Sequence, residues 1–154
     1  MKLNTVTERE RLAAMRRHWR YQEFKAGDDL EYSHKLTAHC YDLRGMVFNE
    51  EHVTSADYVH CDFTGTTAKN SIFLDSSFCT CDFAGVKCDD VDFSLCVFKA
   101  CTFRNATFVN CNFEDAIFCI TDEEEDFKGA TFKGCNLKDS GLEGLAEERM
   151  QDET

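Results

Sequence analysis

The chain has 154 residues, enough to bury one core without staples, and 43% of them are hydrophobic. Twenty-nine acidic residues against 17 basic leave a net charge of −12, which argues against direct binding of nucleic acid or an anionic membrane. No run approaches the ~18 apolar residues of a membrane span, and "MKLNTVTERERLAAMRRHWR" at the start has no apolar signal core, so a cytoplasmic location is expected. In that setting the ten cysteines read as reduced thiols that pack as small hydrophobes.

In chain order, residues 7–24, "TERERLAAMRRHWRYQEF", read as a helix. Leu12, Met15 and Trp19 fall on one side, Arg9, Arg16 and Arg20 on the other, and Thr7 with Glu10 forms a capping box. The expected role is a cap closing the end of the domain, with a partner-binding basic helix as the other reading. Gly27 ends it, and residues 1–40 are taken together as an N-terminal helix and capping segment.

From Leu43 the sequence changes character. Every fifth residue is apolar through Phe118, and eleven of those sixteen positions are Phe. They include Phe63, Phe73, Phe78, Phe83, Phe93, Phe98, Phe103, Phe108, Phe113 and Phe118, the expected core. Two residues before each usually sits a smaller one, such as Cys61, Ser71, Cys81 or Ala106. A period of five suits neither a helix nor a long strand. It suits a chain extended for about three residues that then turns, since residues two apart in an extended stretch point the same way. Such a chain must coil, each coil stacking on the last through backbone hydrogen bonds.

Gly45, Gly65 and Gly85 recur every twenty residues and Asn105 follows them, as do Asp42, Asp62 and Asp82 in their own column. Gly and Asn tolerate the left-handed backbone of a corner. Twenty residues are four fives, so the cross-section is a square. "TDEE" at 121–124 breaks the phase as a four-residue bulge, after which Phe127, Phe132, Leu137 and Leu142 complete a fifth coil. The repeat is therefore taken as 41–144, and 145–154 as a short acidic tail. Ala68 and Cys88 stand in Phe slots on one face, where the core is expected to thin, and Glu51 stands in a small-residue slot.

"CDFTG", "CDFAG", "CVFKA", "CTFRN", "ATFVN", "CNFED", "ATFKG" and "CNLKD" resemble the pentapeptide-repeat family over roughly two thirds of the chain. The resemblance implies an all-β solenoid, a right-handed quadrilateral β-helix, here of about five coils with an N-terminal α-helical cap. The best-understood members of that family imitate B-form DNA in shape and charge and bind DNA gyrase.

The register sorts the surface into four faces, the first being 41–45, 61–65, 81–85 and 101–105 and the others following in order. Over four coils the third face holds Glu51, Asp75, Asp92, Glu114 and Asp115 without a Lys or Arg. Asp75, Asp92, Glu114 and Asp115 form the candidate partner-binding acidic face. The fourth face carries an apolar outward stripe of Val59, Cys79, Val97, Ile117, Cys119 and Ile120. Such a stripe usually marks a contact. Three occupants stand open: the N-terminal helix through Trp19, a second copy in a homodimer, or a foreign protein.

No catalytic residue emerges: there is no Ser-His-Asp arrangement, phosphate-cradling Gly loop or carboxylate pair in a pocket. No cofactor and no metal are expected either, because His39, Cys40, His60 and Cys79 gather near one corner without a CxxC pair. The expected function is a non-enzymatic acidic binding protein, a DNA mimic occupying the DNA-binding surface of a topoisomerase or nuclease. Five coils at ~4.8 Å span about 24 Å, a length over which duplex DNA carries roughly 14 charges. Residues 41–144 hold 19 acids and 8 bases, a comparable line charge. The alternative is a scaffold module that binds through its apolar face, with charge serving solubility.

Overall fold

The structure, a computed structural model, describes residues 37–39 and 42–144. The expected N-terminal helix, Trp19 and the acidic tail lie outside the described residues.

Among the described residues ten three-residue strands succeed one another. They are β1 (Thr37–His39), β2 (Val47–Asn49), β3 (Asp57–Val59), β4 (Thr67–Lys69), β5 (Ser77–Cys79), β6 (Lys87–Asp89), β7 (Val97–Lys99), β8 (Thr107–Val109), β9 (Ile117–Cys119) and β10 (Thr131–Lys133). A single helical turn, α1 (Glu123–Asp126), interrupts them before β10. Alternate strands pair in parallel, β1-β3-β5-β7-β9 along the fourth face and β2-β4-β6-β8-β10 along the second. Partners stand twenty residues apart, as in Phe78 opposite Phe98. Across α1 the step grows to twenty-four, Phe108 facing Phe132, so the four extra residues are absorbed without loss of register.

The first and third faces are built differently. Each coil contributes one bridge residue there, as in Asp42, Asp62 and Asp82, followed by a β-turn. In the coil at 61–66 the Thr66 amide donates to the Phe63 carbonyl at 3.0 Å and Gly65 has φ +70°, a type II turn. The bridge residue holds that turn from inside the repeat. Its side-chain oxygen accepts the amide two residues on: Asp62 from Thr64 (2.9 Å), Asp82 from Ala84 (2.9 Å), Asp92 from Ser94 (2.9 Å) and Asn112 from Glu114 (3.0 Å). This is the job of the recurring Asp, and it is local backbone chemistry.

Every fifth residue from Gly45 to Asp115 has positive φ, including Ser55, His60, Thr80, Leu95 and Ala100. Left-handed backbone costs non-Gly residues about 1–2 kcal/mol. The inter-coil ladder outweighs it at each corner, for example through His60 donating to the Cys79 carbonyl at 2.9 Å.

Inside, the Phe columns stack. Phe78, Phe98 and Phe118 lie parallel at 5.0 and 4.7 Å between centroids, and Phe83, Phe103 and Phe127 at 5.1 Å each. Neighbouring columns meet edge to face, a favourable arrangement for ring quadrupoles. The small inward residues fasten one coil to the next. The Thr66 hydroxyl donates to the Leu43 carbonyl (3.0 Å), and the Cys96 and Cys101 thiols to the Phe73 and Phe78 carbonyls (2.8 and 3.3 Å).

Three features depart from the regular picture. Among the described residues four coils close and the fifth has no fourth side, because residues 140–144 add no strand beyond β9. As a result Phe118, expected in the core, is only partly buried against it. The ladder also starts at Thr37, ahead of position 41, because β1 pairs with β3.

Where Ala68 and Cys88 replace Phe, an apolar void of about 20 Å³ remains among Phe48, Phe63, Phe93 and Phe108. Two missing phenyl rings would leave far more, so the neighbouring rings have closed in. Ala68→Val should then fill the void and stabilise by up to about 0.5 kcal/mol, given ~24 cal/mol per Å³ of cavity. Ala68→Phe should destabilise by about 1–3 kcal/mol through overpacking, although it restores the repeat. Urea unfolding of both variants checks the opposite signs.

Candidate interaction surfaces

The four acids expected to form one binding face do not play one role. Asp75 and Asp115 are exposed corner residues at φ 56° and 58°. Asp75 accepts a hydrogen bond from the Ser55 hydroxyl at 3.1 Å. Asp92 is half-buried and bound to its own turn, accepting from the Ser94 amide and hydroxyl at 2.9 and 2.6 Å. Glu114 pairs with Lys138 at 3.3 Å and accepts from the Asn136 amide at 3.4 Å. The hydrogen bond that Lys138 donates to Glu114 and the carboxylate's charge hold Lys138 above its ordinary pKa. The last coil thus places a cation on a face whose first four coils have none, and it adds exposed Asp139.

The densest run of acid lies elsewhere, in α1 and its cap. Asp122, Glu123, Glu124, Glu125 and Asp126 are consecutive, and the Asp122 carboxylate accepts the Glu125 amide at 3.2 Å. Carboxylates suit the first turn of a helix, where orphan amides point outward. Arg104 and Lys128 approach Glu125 at 3.4 and 3.7 Å, which leaves Glu123 and Glu124 projecting with no ion pair among the described residues. The run reads as a bulge from its phase alone, although its composition marks it as a charged protrusion.

The apolar stripe of the fourth face is narrower than expected. Ile117 and Cys119 are exposed, while Val59, Cys79, Val97 and Ile120 are half-buried, and Ile120 packs on the core. Asp57 is hydrogen-bonded to Ser77 in the lower coils, and Lys99 takes a slot between Cys79 and Cys119. What remains is a patch of Leu95 at the corner with Val97 and Ile117 beside it, Leu95 being 51% and Ile117 54% exposed.

Two of the candidate metal-corner side chains can be placed: His60 at its corner and Cys79 half-buried beside it. Among the described residues no group of three or more His, Cys, Asp or Glu is arranged to hold a metal ion. The cysteines Cys61, Cys81, Cys88, Cys96, Cys101 and Cys111 are buried and reduced, as packed thiols. Burial pushes the Cys88 and Cys96 thiols from an ordinary 9.0 up to about 12. It drives the Tyr58 phenol well above its usual range too, its hydroxyl having no partner among the described residues.

These groups fold in their neutral, protonated form. The stability they contribute is therefore fully present below pH 9 and lost as pH rises toward about 12. The urea midpoint should fall steeply between those values, and a flat profile would contradict the packed-thiol interior.

No helix among the described residues is long and apolar enough to cross a membrane. A shallow cleft of about 310 Å³ lies between Asn70, Asp90, Asn110 and Asn112 at the corner of the second and third faces, with Ser71, Ile72, Val91 and Asp92 completing its lining.

With the five-residue sides and their inward columns established, comparison with known proteins names the repeat. The family model described as Pentapeptide repeats matches in eight copies, over residues 61–99 and 96–119. Residues 61–119 are pentapeptide repeats. No curated protein matches it. Among solved structures, this pentapeptide-repeat chain is similar to a pentapeptide repeat protein from the thylakoid lumen of Arabidopsis thaliana, at 18% identity and TM-score 0.45 over 62% of this chain. QnrB1, a plasmid-mediated fluoroquinolone resistance protein, matches at 20% identity and TM-score 0.45 over 68% of this chain. HetL, involved in heterocyst differentiation regulation in the cyanobacterium Nostoc sp., matches at 18% identity and TM-score 0.39 over 78% of it. The chain spans 63%, 49% and 46% of the lengths of these three proteins.

Proposed function

We propose that this pentapeptide-repeat chain is a non-catalytic protein-interaction module whose acidic surface occupies the DNA-binding surface of a protein partner, such as a type II topoisomerase or nuclease. The observation that carries this reading is the density of carboxylate on a rigid ladder, 19 acids against 8 bases over residues 41–144. Arg44, Arg104, Lys128 and Lys138 make the ion pairs among the described residues, with Asp42, Asp62, Glu125 and Glu114. Asp75, Asp115, Glu123 and Glu124 are exposed, lie outside those pairs and hold no turn together. Spaced along a solenoid whose coils are ~4.8 Å apart, they present fixed charge to a basic groove.

The test is capture from nuclease-treated lysate by the parent chain and by the variant Asp75→Lys, Asp115→Lys, Glu123→Lys, Glu124→Lys. Asp92 is spared because reversing it would break its turn. A DNA-processing protein held by the parent, released by duplex DNA and lost by the variant supports the proposal. A complex that survives charge reversal would contradict it. A cytoplasmic location belongs to the same proposal, and fractionation of cells expressing the chain checks it.

A further inference from the structure

Charge is segregated along this chain. Residues 1–20 contain six bases and two acids, and five of the eight arginines fall at Arg9, Arg11, Arg16, Arg17 and Arg20. The same stretch holds Leu12, Met15 and Trp19. The described body has the opposite character, and one place on it combines both features that such a segment would meet.

That place is the corner between the third and fourth faces in the third and fourth coils. Leu95 and Asp115 stack in one column, the Leu95 amide donating to the Glu114 carbonyl at 3.1 Å, with Asp75 in the coil below. Val97 and Ile117 stack beside them as register partners on the fourth face. Leu95 and Ile117 are half exposed, and the third large exposed apolar residue among the described residues, Val47, is remote from them on the second face. Leu95 has φ +60°, a corner conformation that Asn, Asp or Gly adopts at lower cost. Neither its backbone nor its packing asks for leucine.

We propose that the basic N-terminal segment around Trp19 docks in cis on this corner, its apolar residues on Leu95, Val97 and Ile117, with the segment's net positive charge drawn to Asp75 and Asp115. Reach allows it. The chain enters the solenoid at β1, in the same sheet as β7 and β9, and four strand spacings of ~4.8 Å separate β1 from β9, about 19 Å. Eighteen residues link Trp19 to Thr37 and cover about 27 Å even at 1.5 Å per residue. A bound arm would cover Asp75 and Asp115, so a basic partner would have to displace it. The docking itself requires no partner and does not rest on the proposed function.

Trp19 is the chain's one tryptophan and reports on this directly. Its emission and acrylamide quenching are measured in the full-length parent, in Leu95→Asp/Ile117→Asp and in Asp75→Lys/Asp115→Lys, with circular dichroism confirming the fold of each. These body positions are exposed, and Asp is favourable at a left-handed corner. The proposal expects a blue-shifted, protected Trp19 in the parent at all protein concentrations. It expects a red shift and at least twofold stronger quenching in the apolar variant, and an intermediate change in the charge variant. A Trp19 already as quenchable as in urea would overturn it. So would protection unchanged by the variants, which would place the ring elsewhere, or protection that grows with protein concentration, which would assign the patch to a second copy.

Discussion

Phe98→Ala should cost about 3–5 kcal/mol of unfolding free energy, the upper range for removing a buried ring. Phe98 is 1% exposed and sits midway along the stack. It lies between Phe78 and Phe118 at 5.0 and 4.7 Å and meets the edges of Phe83, Phe93 and Phe103 at 5.8, 6.0 and 5.4 Å. Each coil of a solenoid is supported mainly by its neighbours, so a gap in the third coil weakens both interfaces it makes. Phe132 provides the control. It stacks on Phe108 at 5.1 Å in the last coil and has no described ring above it. Phe132→Ala should fall toward the lower end of the same range, and urea unfolding compares the two. Equal costs would mean that the coils do not couple as the ladder implies.

Gly129→Val should destabilise by about 1–3 kcal/mol, 1–2 of it for left-handed backbone and a smaller part for displacing the Asn105 side chain. Gly129 has φ +74°, and a Cβ there would lie 2.3 Å from Asn105 Oδ1, one coil below. The Asn105 side chain folds over the glycine, and the Asn110–Gly134 pair repeats the arrangement at the next corner, at 2.5 Å. Gly65, with φ +70° and nothing within 4 Å of a Cβ, isolates the backbone contribution. Gly65→Ala should cost only about 1 kcal/mol. Adding Asn105→Gly to Gly129→Val should recover the steric part, a non-additivity that a double-mutant cycle reads directly.

The inward columns were legible because side-chain direction in a three-residue extended stretch depends on local geometry alone. That is why Phe63 to Phe113 fall in the core where the five-residue count puts them. The corners were legible at Gly45, Gly65 and Gly85, but not at Thr80 or Leu95, where the inter-coil ladder overrides a residue's own preference. Phe118 reads as core by phase. Its partial exposure follows from the absence, among the described residues, of a strand above β9, and pairing between coils leaves no mark in the five-residue period.

The surface was harder to read. Asp92 looks like any other acid of its face, yet its turn consumes it, and only the Asp-x-Ser spacing hints at that. Glu114 and Lys138 are 24 residues apart and meet only because α1 shifts the register by four. The acidic run 122–126 was visible in composition, and a reading that follows phase alone treats it as a spacer.

The most direct test of the proposed function is the salt dependence of binding between the full chain and the DNA-processing protein it captures. A surface that takes the place of duplex DNA predicts affinity falling steeply between about 50 and 200 mM salt, with the slope flattened in the four-site charge-reversed variant. An affinity that hardly changes with salt, and is the same in parent and variant, would contradict mimicry and move the contact to the apolar corner.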